Sequence, residues 1–390
     1  MSDQQRETTQ EEASSSEQAQ TLVLNNNNNK IHETSTATTL NEDSDSDGEE
    51  GNLQHHHENP ETFAPIPREK LEFDWDNPVL DLAHHPHEQI GAGYPLGAHL
   101  QYLDLTNCRL RKIENLDHLK NLETLLLRQN LITKVEGLKN LESLKHLDLY
   151  GNQIKRVDAS ELNSLTNLEH LDLSFNLLRH MVKGLKLPKL RQLYYVNNKI
   201  KEIEEEATKG ETDLPSLELL ELGSNRLREI KHLENFTTLK ELWLGKNKIT
   251  EIKCLETLVN LTRLSIQSNR ITKIHRLDTL TQLVELYLSE NGIEVIEGLD
   301  NLTNLVLLDL AHNFIKSLDH LSHLTDLEEF WCNDNQIPTF KEIEKLSPLK
   351  KLTSIYFRSN PIYDDPQYKR KLLLIMPQLT SIDGFPVIKK

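Results

Sequence analysis

The chain has 390 residues, with 44 Lys or Arg against 61 Asp or Glu and a formal net charge of −17 at pH 7. That balance argues against nonspecific binding to nucleic acid, whose phosphates need basic partners. Three cysteines without a CxxC pair point to a reducing compartment, and with no signal-peptide core and no apolar run long enough to span a bilayer the chain reads as neither secreted nor membrane-bound.

Residues 1–62 hold 14 acidic and two basic side chains, a net of −12, together with five consecutive Asn (25–29) and the run DSDSDGEE (43–50). Low hydrophobicity and high charge cannot offset the entropy of ordering, so this segment reads as a disordered acidic tail. Asp43, Asp45, Asp47 and Gly48 imitate the start of a calcium loop, but the twelfth position is Gln54 where a bidentate Glu is needed. Ser44 and Ser46 each have an acid three residues later, which makes them candidates for acid-directed phosphorylation; the bland alternative is a solvated stretch. Residues 63–95 mix prolines, apolar residues and His84, His85 and His87, and read as a linker entering an N-terminal cap.

From residue 96 onward a nine-residue pattern, LxxLxLxxN, recurs twelve times and ends at Cys108, Asn130, Asn152, Asn176, Asn198, Asn225, Asn247, Asn269, Asn291, Asn313, Asn335 and Asn360. Most intervals are 22 residues, with longer ones before Asn176, Asn225 and Asn360. A period of this length with this spacing is that of a leucine-rich repeat. The fourth and sixth residues are apolar and the fifth usually is not, which is strand alternation: Leu147 and Leu149 point inward and Asp148 outward. The expected fold is an α/β leucine-rich-repeat solenoid over residues 96–362. It has a concave parallel sheet, a short helical or 3-10 backing and a C-terminal cap over residues 363–390. The Asn after each strand is expected to turn inward and satisfy turn backbone, as a buried ladder on which Cys108 is the first rung.

The outward strand positions line the concave face. The fifth position reads Asp104, Leu126, Asp148, Asp172, Tyr194, Glu221, Trp243, Ser265, Tyr287, Asp309, Trp331 and Tyr356, and the third adds His146, His170, Glu241, Arg263, Glu285 and Glu329. Exposed Trp and Tyr are unfavourable unless covered, and they are favoured anchors of protein interfaces. The alternative is that they merely cover one another. The carboxylates favour a basic partner. His146, Asp148, His170 and Asp172 could be weighed as metal ligands, but nothing fixes their orientation, and polar contact residues are the preferred reading. No nucleophile–base pair, phosphate loop or HExxH motif occurs, and an open sheet cannot exclude water, so neither an enzyme nor a cofactor is expected. The sequons at Asn235, Asn260 and Asn301 read as coincidences of the repeat.

The segments LDLYGNQIK (147–155), LGKNKIT (244–250), QSNRITKI (267–274), NGIEVIEGL (291–299) and EFWCNDN (329–335) resemble the regulatory-subunit-7 family of protein phosphatase 1. NPIYDDPQYKRKLLLIMPQLTSIDG (360–384) resembles the C-terminal cap of intracellular leucine-rich-repeat proteins, with Tyr368, Pro377, Leu379, Ile382 and Asp383 in the cap pattern. The resemblance implies a non-catalytic subunit whose concave face holds the phosphatase catalytic subunit through Asp172, Tyr194, Glu221, Trp243, Glu329, Trp331 and Tyr356. Asp148, His146, His170, Tyr287 and Asp309 are secondary candidates on the same strip. Tyr194 and Trp243 stand where that family commonly has Phe. The resemblance also implies work in the nucleus and cytoplasm, a part in mitotic chromosome segregation, and a second phosphatase inhibitor as co-partner. Lys70-Leu71-Glu72-Phe73 approaches the short phosphatase-docking motif but has Leu where Val or Ile is usual. The competing reading is a general leucine-rich-repeat adaptor in a cytoskeletal, GTPase-related or splicing assembly.

Overall fold

A computed structural model describes residues 74–85, 90, 96–210 and 212–388. The acidic tail, Ser44, Ser46, the calcium-like run, Lys70–Phe73 and His87 lie outside the described residues. The repeats build one sheet of fifteen strands in strictly sequential order, the first fourteen parallel and the last antiparallel. The first thirteen strands are three residues long and the last two are two residues long, and each pairs in register with its neighbour, as in His146↔His170 and Asp148↔Asp172. The order follows from the constant chain advance: each strand has only the preceding and following repeats within reach.

The inward residues form one continuous core. Leu147, Leu149, Leu264, Ile266, Leu308 and Leu310 are fully buried, and each such side chain contributes roughly 1.5–3 kcal/mol. Tyr195 replaces the usual Leu at one sixth position and is also buried; its hydroxyl accepts a hydrogen bond from Val182 N–H at 3.1 Å, which satisfies the one polar atom the larger side chain brings in.

The backing of a regular 22-residue repeat is a pair of linked turns. Leu119 N–H bonds the carbonyl of Leu116, and Leu122 N–H that of Leu119; the same pattern recurs at Leu255, Leu258 and Leu261 and at Leu299, Leu302 and Leu305. This is 3-10 bonding that closes into a helix only where extra residues allow it. The three longer repeats hold 3-10 turns at Ala159–Glu161 and Glu205–Ala207 and an α-helix at Phe340–Glu344. The charged insertion around 204–213 is tied down: Ala207, Thr208 and Thr212 are buried, and Asp213 N–H bonds Leu185 carbonyl.

The asparagine ladder is present. Asn176 Oδ1 accepts from Ile154 N–H in the preceding repeat, while its Nδ2 donates to the carbonyls of Leu149, Leu173 and Ser174. One amide therefore stitches two repeats. Cys108 does this in part: its Sγ donates to Leu82 carbonyl at 3.1 Å, and burial pushes the thiol up to about 11. Asn269 makes the same four bonds but is only half-buried, unlike the fully buried rung expected.

Both ends extend the sheet beyond the regular repeats. A strand at Val79–Asp81, within the stretch read as linker and cap, pairs with Tyr102–Asp104 and carries the same alternation through Leu80 and Leu82. At the other end an α-helix (Tyr368–Ile375) leads into the last two strands. Asp383 Oδ1 accepts from Phe357 and Arg358 N–H, and its Oδ2 accepts from Tyr368 hydroxyl at 3.0 Å, so one carboxylate seals donors the next repeat would have met. The sequon amides have a structural job as well: Asn260 Nδ2 donates to Thr237 carbonyl and Asn301 Nδ2 to Asp278 carbonyl. No helix among the described residues is long and apolar enough to cross a membrane.

Candidate protein-binding face

Because successive strands stack in register, the fifth-position side chains form a row across the sheet and the third-position side chains form a second. Aromatic rings occupy the fifth position on alternate strands at Trp243, Tyr287 and Trp331, with Tyr356 next to the last. Their centroids are 5.8 Å apart for Trp243 and Tyr287, 6.3 Å for Tyr287 and Trp331, and 5.7 Å for Trp331 and Tyr356. Strands two apart are separated by about 9.6 Å along the sheet, so the rings lean together over the residue between. That explains why Ser265, between Trp243 and Tyr287, is only 1% exposed.

The first three of these aromatics are each held by the carboxylate two residues earlier on their own strand, whereas Tyr356 has Ser354 at that position. Trp243 Nε1 donates to Glu241, Trp331 Nε1 to Glu329, and Tyr287 hydroxyl to Glu285, at 3.2, 3.2 and 2.8 Å. Arg263 bridges Glu241 and Glu285, at 2.9 and 3.0 Å. The polar edge of each of the three rings is thereby fixed toward one side of the strip and its apolar body stays half-buried and available.

The other end of the strip is polar. His146 and His170 stack with ring centroids 4.0 Å apart and planes 6° from parallel, and His170 packs against Tyr194 at 5.0 Å. Burial, with the neighbouring His170, pushes His146 down to about 3, and burial lowers His170 as well, so both are neutral at pH 7. Parallel stacking keeps their nitrogens from converging, and no group of three or more His, Cys, Asp or Glu among the described residues is arranged to hold a metal.

The carboxylates are crowded. Burial and the neighbouring Asp172 push both Asp148 and Glu221 up to about 7, and burial raises Asp309 to about 6. Asp148 and Asp309 are 5% and 4% exposed, so the expectation that they stand open on the concave face does not hold. Asp148 is engaged by Arg128 at 3.2 Å and by Tyr150 N–H, and Asp309 lies beneath the converging rings of Tyr287 and Trp331 and accepts from Ala311 N–H. Asp172, Tyr194, Glu221, Trp243, Glu329, Trp331 and Tyr356 share one face and are half-buried, as are His146, His170 and Tyr287. Sequence reasoning missed Arg128; its signal is a cation two positions past a strand, where the following repeat places Asp148.

Comparison with known proteins agrees with this architecture. The family model for leucine-rich repeats in two copies matches residues 98–140, 142–180, 237–280, 281–323 and 303–345. The chain is 52% identical over 66 residues to the protein phosphatase 1 regulatory subunit pprA of Dictyostelium discoideum, and 42% identical over 59 residues to the regulatory subunit SDS22 of Schizosaccharomyces pombe. It is 37% identical over 172 residues to the protein phosphatase 1 regulatory inhibitor subunit PPP1R7 homolog of Arabidopsis thaliana. These matches take in 16%, 14% and 42% of this chain, and 20%, 18% and 50% of the relatives' own lengths. Among solved structures, an internalin of Listeria monocytogenes superimposes with a TM-score of 0.65 at 26% identity, covering 80% of this chain and 88% of the internalin. The chain is thus a leucine-rich-repeat protein similar to phosphatase regulatory subunits, and none of the three relatives is named as a catalytic subunit.

Proposed function

We propose that this leucine-rich-repeat chain, a relative of the protein phosphatase 1 regulatory subunits, binds the catalytic subunit of that phosphatase through its concave strip. It acts as a non-catalytic regulator that controls the phosphatase's activity, maturation or localisation. The observation that carries this reading is the row Trp243, Tyr287, Trp331 and Tyr356, whose first three members are pre-oriented by a carboxylate on their own strand. An aromatic fixed before binding loses little rotamer freedom on association, and Trp and Tyr dominate interface energetics. Asp172, Glu221, Glu241 and Glu329 favour a basic patch on the partner and speed encounter more than they tighten the complex.

On the same reading the complex works in the nucleus and cytoplasm, serves chromosome segregation in mitosis, and admits a second phosphatase inhibitor. Membrane and nucleic-acid partners are not part of it. Trp243→Ala and Trp331→Ala should each weaken binding to purified phosphatase catalytic subunit by about 2 kcal/mol or more, roughly 30-fold, with little effect on folding. Calorimetry with unchanged affinity for both variants would remove the concave-face reading and favour a general adaptor.

A further inference from the structure

The residue just before each ladder position has a left-handed backbone. Its φ lies between 51° and 70° in all twelve repeats, from Asn107 to Ser359. Eleven of these positions carry residues suited to such a turn at the surface: Gly151, Asn107 and Asn197, and polar residues elsewhere. The twelfth is Phe175, at φ 54° and 41% exposed. A bulky aromatic with positive φ is disfavoured by sterics, and an exposed one gains nothing from the core. The turn itself therefore supplies no reason for Phe at this position.

Phe175 does not stand alone. Its ring meets that of Tyr150, in the preceding repeat, at 4.6 Å, and the guanidinium of Arg128, one repeat earlier, lies 4.9 Å from the Tyr150 centroid. Three successive repeats thus form a stacked ridge along the rim at the C-terminal ends of the strands. The ridge is tied to the concave carboxylates. Arg128 Nε contacts Asp148 at 3.2 Å, Tyr150 N–H donates to Asp148, and Ser174 N–H, just before Phe175, donates to Asp172 at 2.7 Å. Phe175 lies three residues beyond Asp172 on the same chain segment, about 10 Å at strand rise.

We propose that this rim, centred on Phe175 and Tyr150, is a second row of contacts for the phosphatase catalytic subunit, seating an apolar or aromatic side chain of that partner. The proposal rests on the concave-face reading above and extends it from the strand faces to the strand ends. A partner lying against Asp172 and Tyr194 reaches the ridge without a gap, and covering Phe175 recovers the apolar surface that the free chain leaves in water.

The test uses the full chain with two substitutions. Phe175→Asn installs the residue that positions 107 and 197 carry in the same backbone conformation; Tyr150→Ser installs the residue found at 174 and 289. Both are titrated with purified phosphatase catalytic subunit beside Trp243→Ala, with melting temperature and solution mass recorded. Phe175→Asn should melt near the wild-type temperature, because the better fit to the turn offsets the lost ring contact with Tyr150, and yet bind about tenfold more weakly. Tyr150→Ser should weaken binding in the same direction. Unchanged affinity in both while Trp243→Ala weakens would sink the rim and leave the concave face standing; unchanged affinity in all three would sink both. A fall in melting temperature that accounts for the lost affinity would make Phe175 a folding residue, and a change in self-association alone would assign the ridge to a second copy of this chain. Either result overturns the proposal.

Discussion

Asn313 shows how much of this solenoid hangs on one side chain. Its Oδ1 accepts from Ile293 N–H in the preceding repeat, and its Nδ2 donates to the carbonyls of Leu288, Leu310 and Ala311, all at 3.0–3.1 Å. At 5% exposure, water cannot replace these partners. Each buried group left unpaired costs roughly 1–3 kcal/mol, so Asn313→Ala should destabilise the free protein by about 3 kcal/mol or more. Phe314→Ala, at the exposed neighbour, should be nearly neutral. Equal denaturant midpoints for the two variants would mean that the amide is not structural. The ladder was legible because the Asn interval is nearly constant and only an inward Asn justifies so strict a beat. Its direction was not legible: that Oδ1 reaches backward to the previous repeat depends on strand offset, which appears only when two repeats are stacked. The same limit applies at Asn269, whose bonds were foreseen and whose partial exposure was not.

At the scale of the strand, alternation told which side chains face out, and the structure decides how far out they remain. Rings on alternate strands meet over the small residue between them, so an outward position such as Ser265 becomes buried without changing face. Crowding also leaves carboxylates poorly solvated, and Glu221 is the clearest case: burial, Asp172 and Glu241 all raise it, to about 7, with no cation opposing them. A carboxyl with a folded value above its unfolded one, near 4.3, favours the folded state while protonated. That contribution is present at low pH and is lost as pH rises through about 7. His146 and His170, held down in the fold, act in the opposite sense below about pH 6.5, so only a difference between variants isolates Glu221. Glu221→Gln should therefore leave stability nearly unchanged near pH 4 and raise it relative to wild type increasingly between about pH 4.3 and 7, levelling off by about pH 8, as read by denaturant midpoints across that range. A constant offset at all pH values would show that Glu221 is solvated like an ordinary surface acid.

At the scale of the molecule, the sheet order is the sequence order, so each repeat rests on its neighbours. The number of repeats and the C-terminal seal could be read from spacing and from Tyr368, Leu379 and Asp383. The N-terminal strand at Val79–Asp81 was hidden because one short VLDL segment lies outside the regular beat, and only pairing with Tyr102–Asp104 reveals it. Charge is divided unevenly along this one-dimensional frame. Residues 1–62 carry −12 of the net −17 and leave −5 for the remainder, while every repeat and every residue of the strip lies after residue 62. Exposed charges act over about 8 Å at physiological ionic strength, so an acidic segment that is not bound to the repeats adds little to the attraction that Asp172, Glu221 and Glu329 exert at contact distance. Deleting residues 1–62 should therefore leave the melting temperature unchanged and the affinity for phosphatase catalytic subunit within about twofold at 0.15 M salt, a difference of about 0.4 kcal/mol. At low salt, where screening extends to about 30 Å, the deletion should slow association with a basic partner while dissociation stays the same. Stopped-flow association at the two ionic strengths, beside a thermal melt, separates these effects. A lower melting temperature, or faster dissociation at 0.15 M salt, would mean that residues 1–62 dock on the repeats or on the partner and that the working unit begins before residue 63.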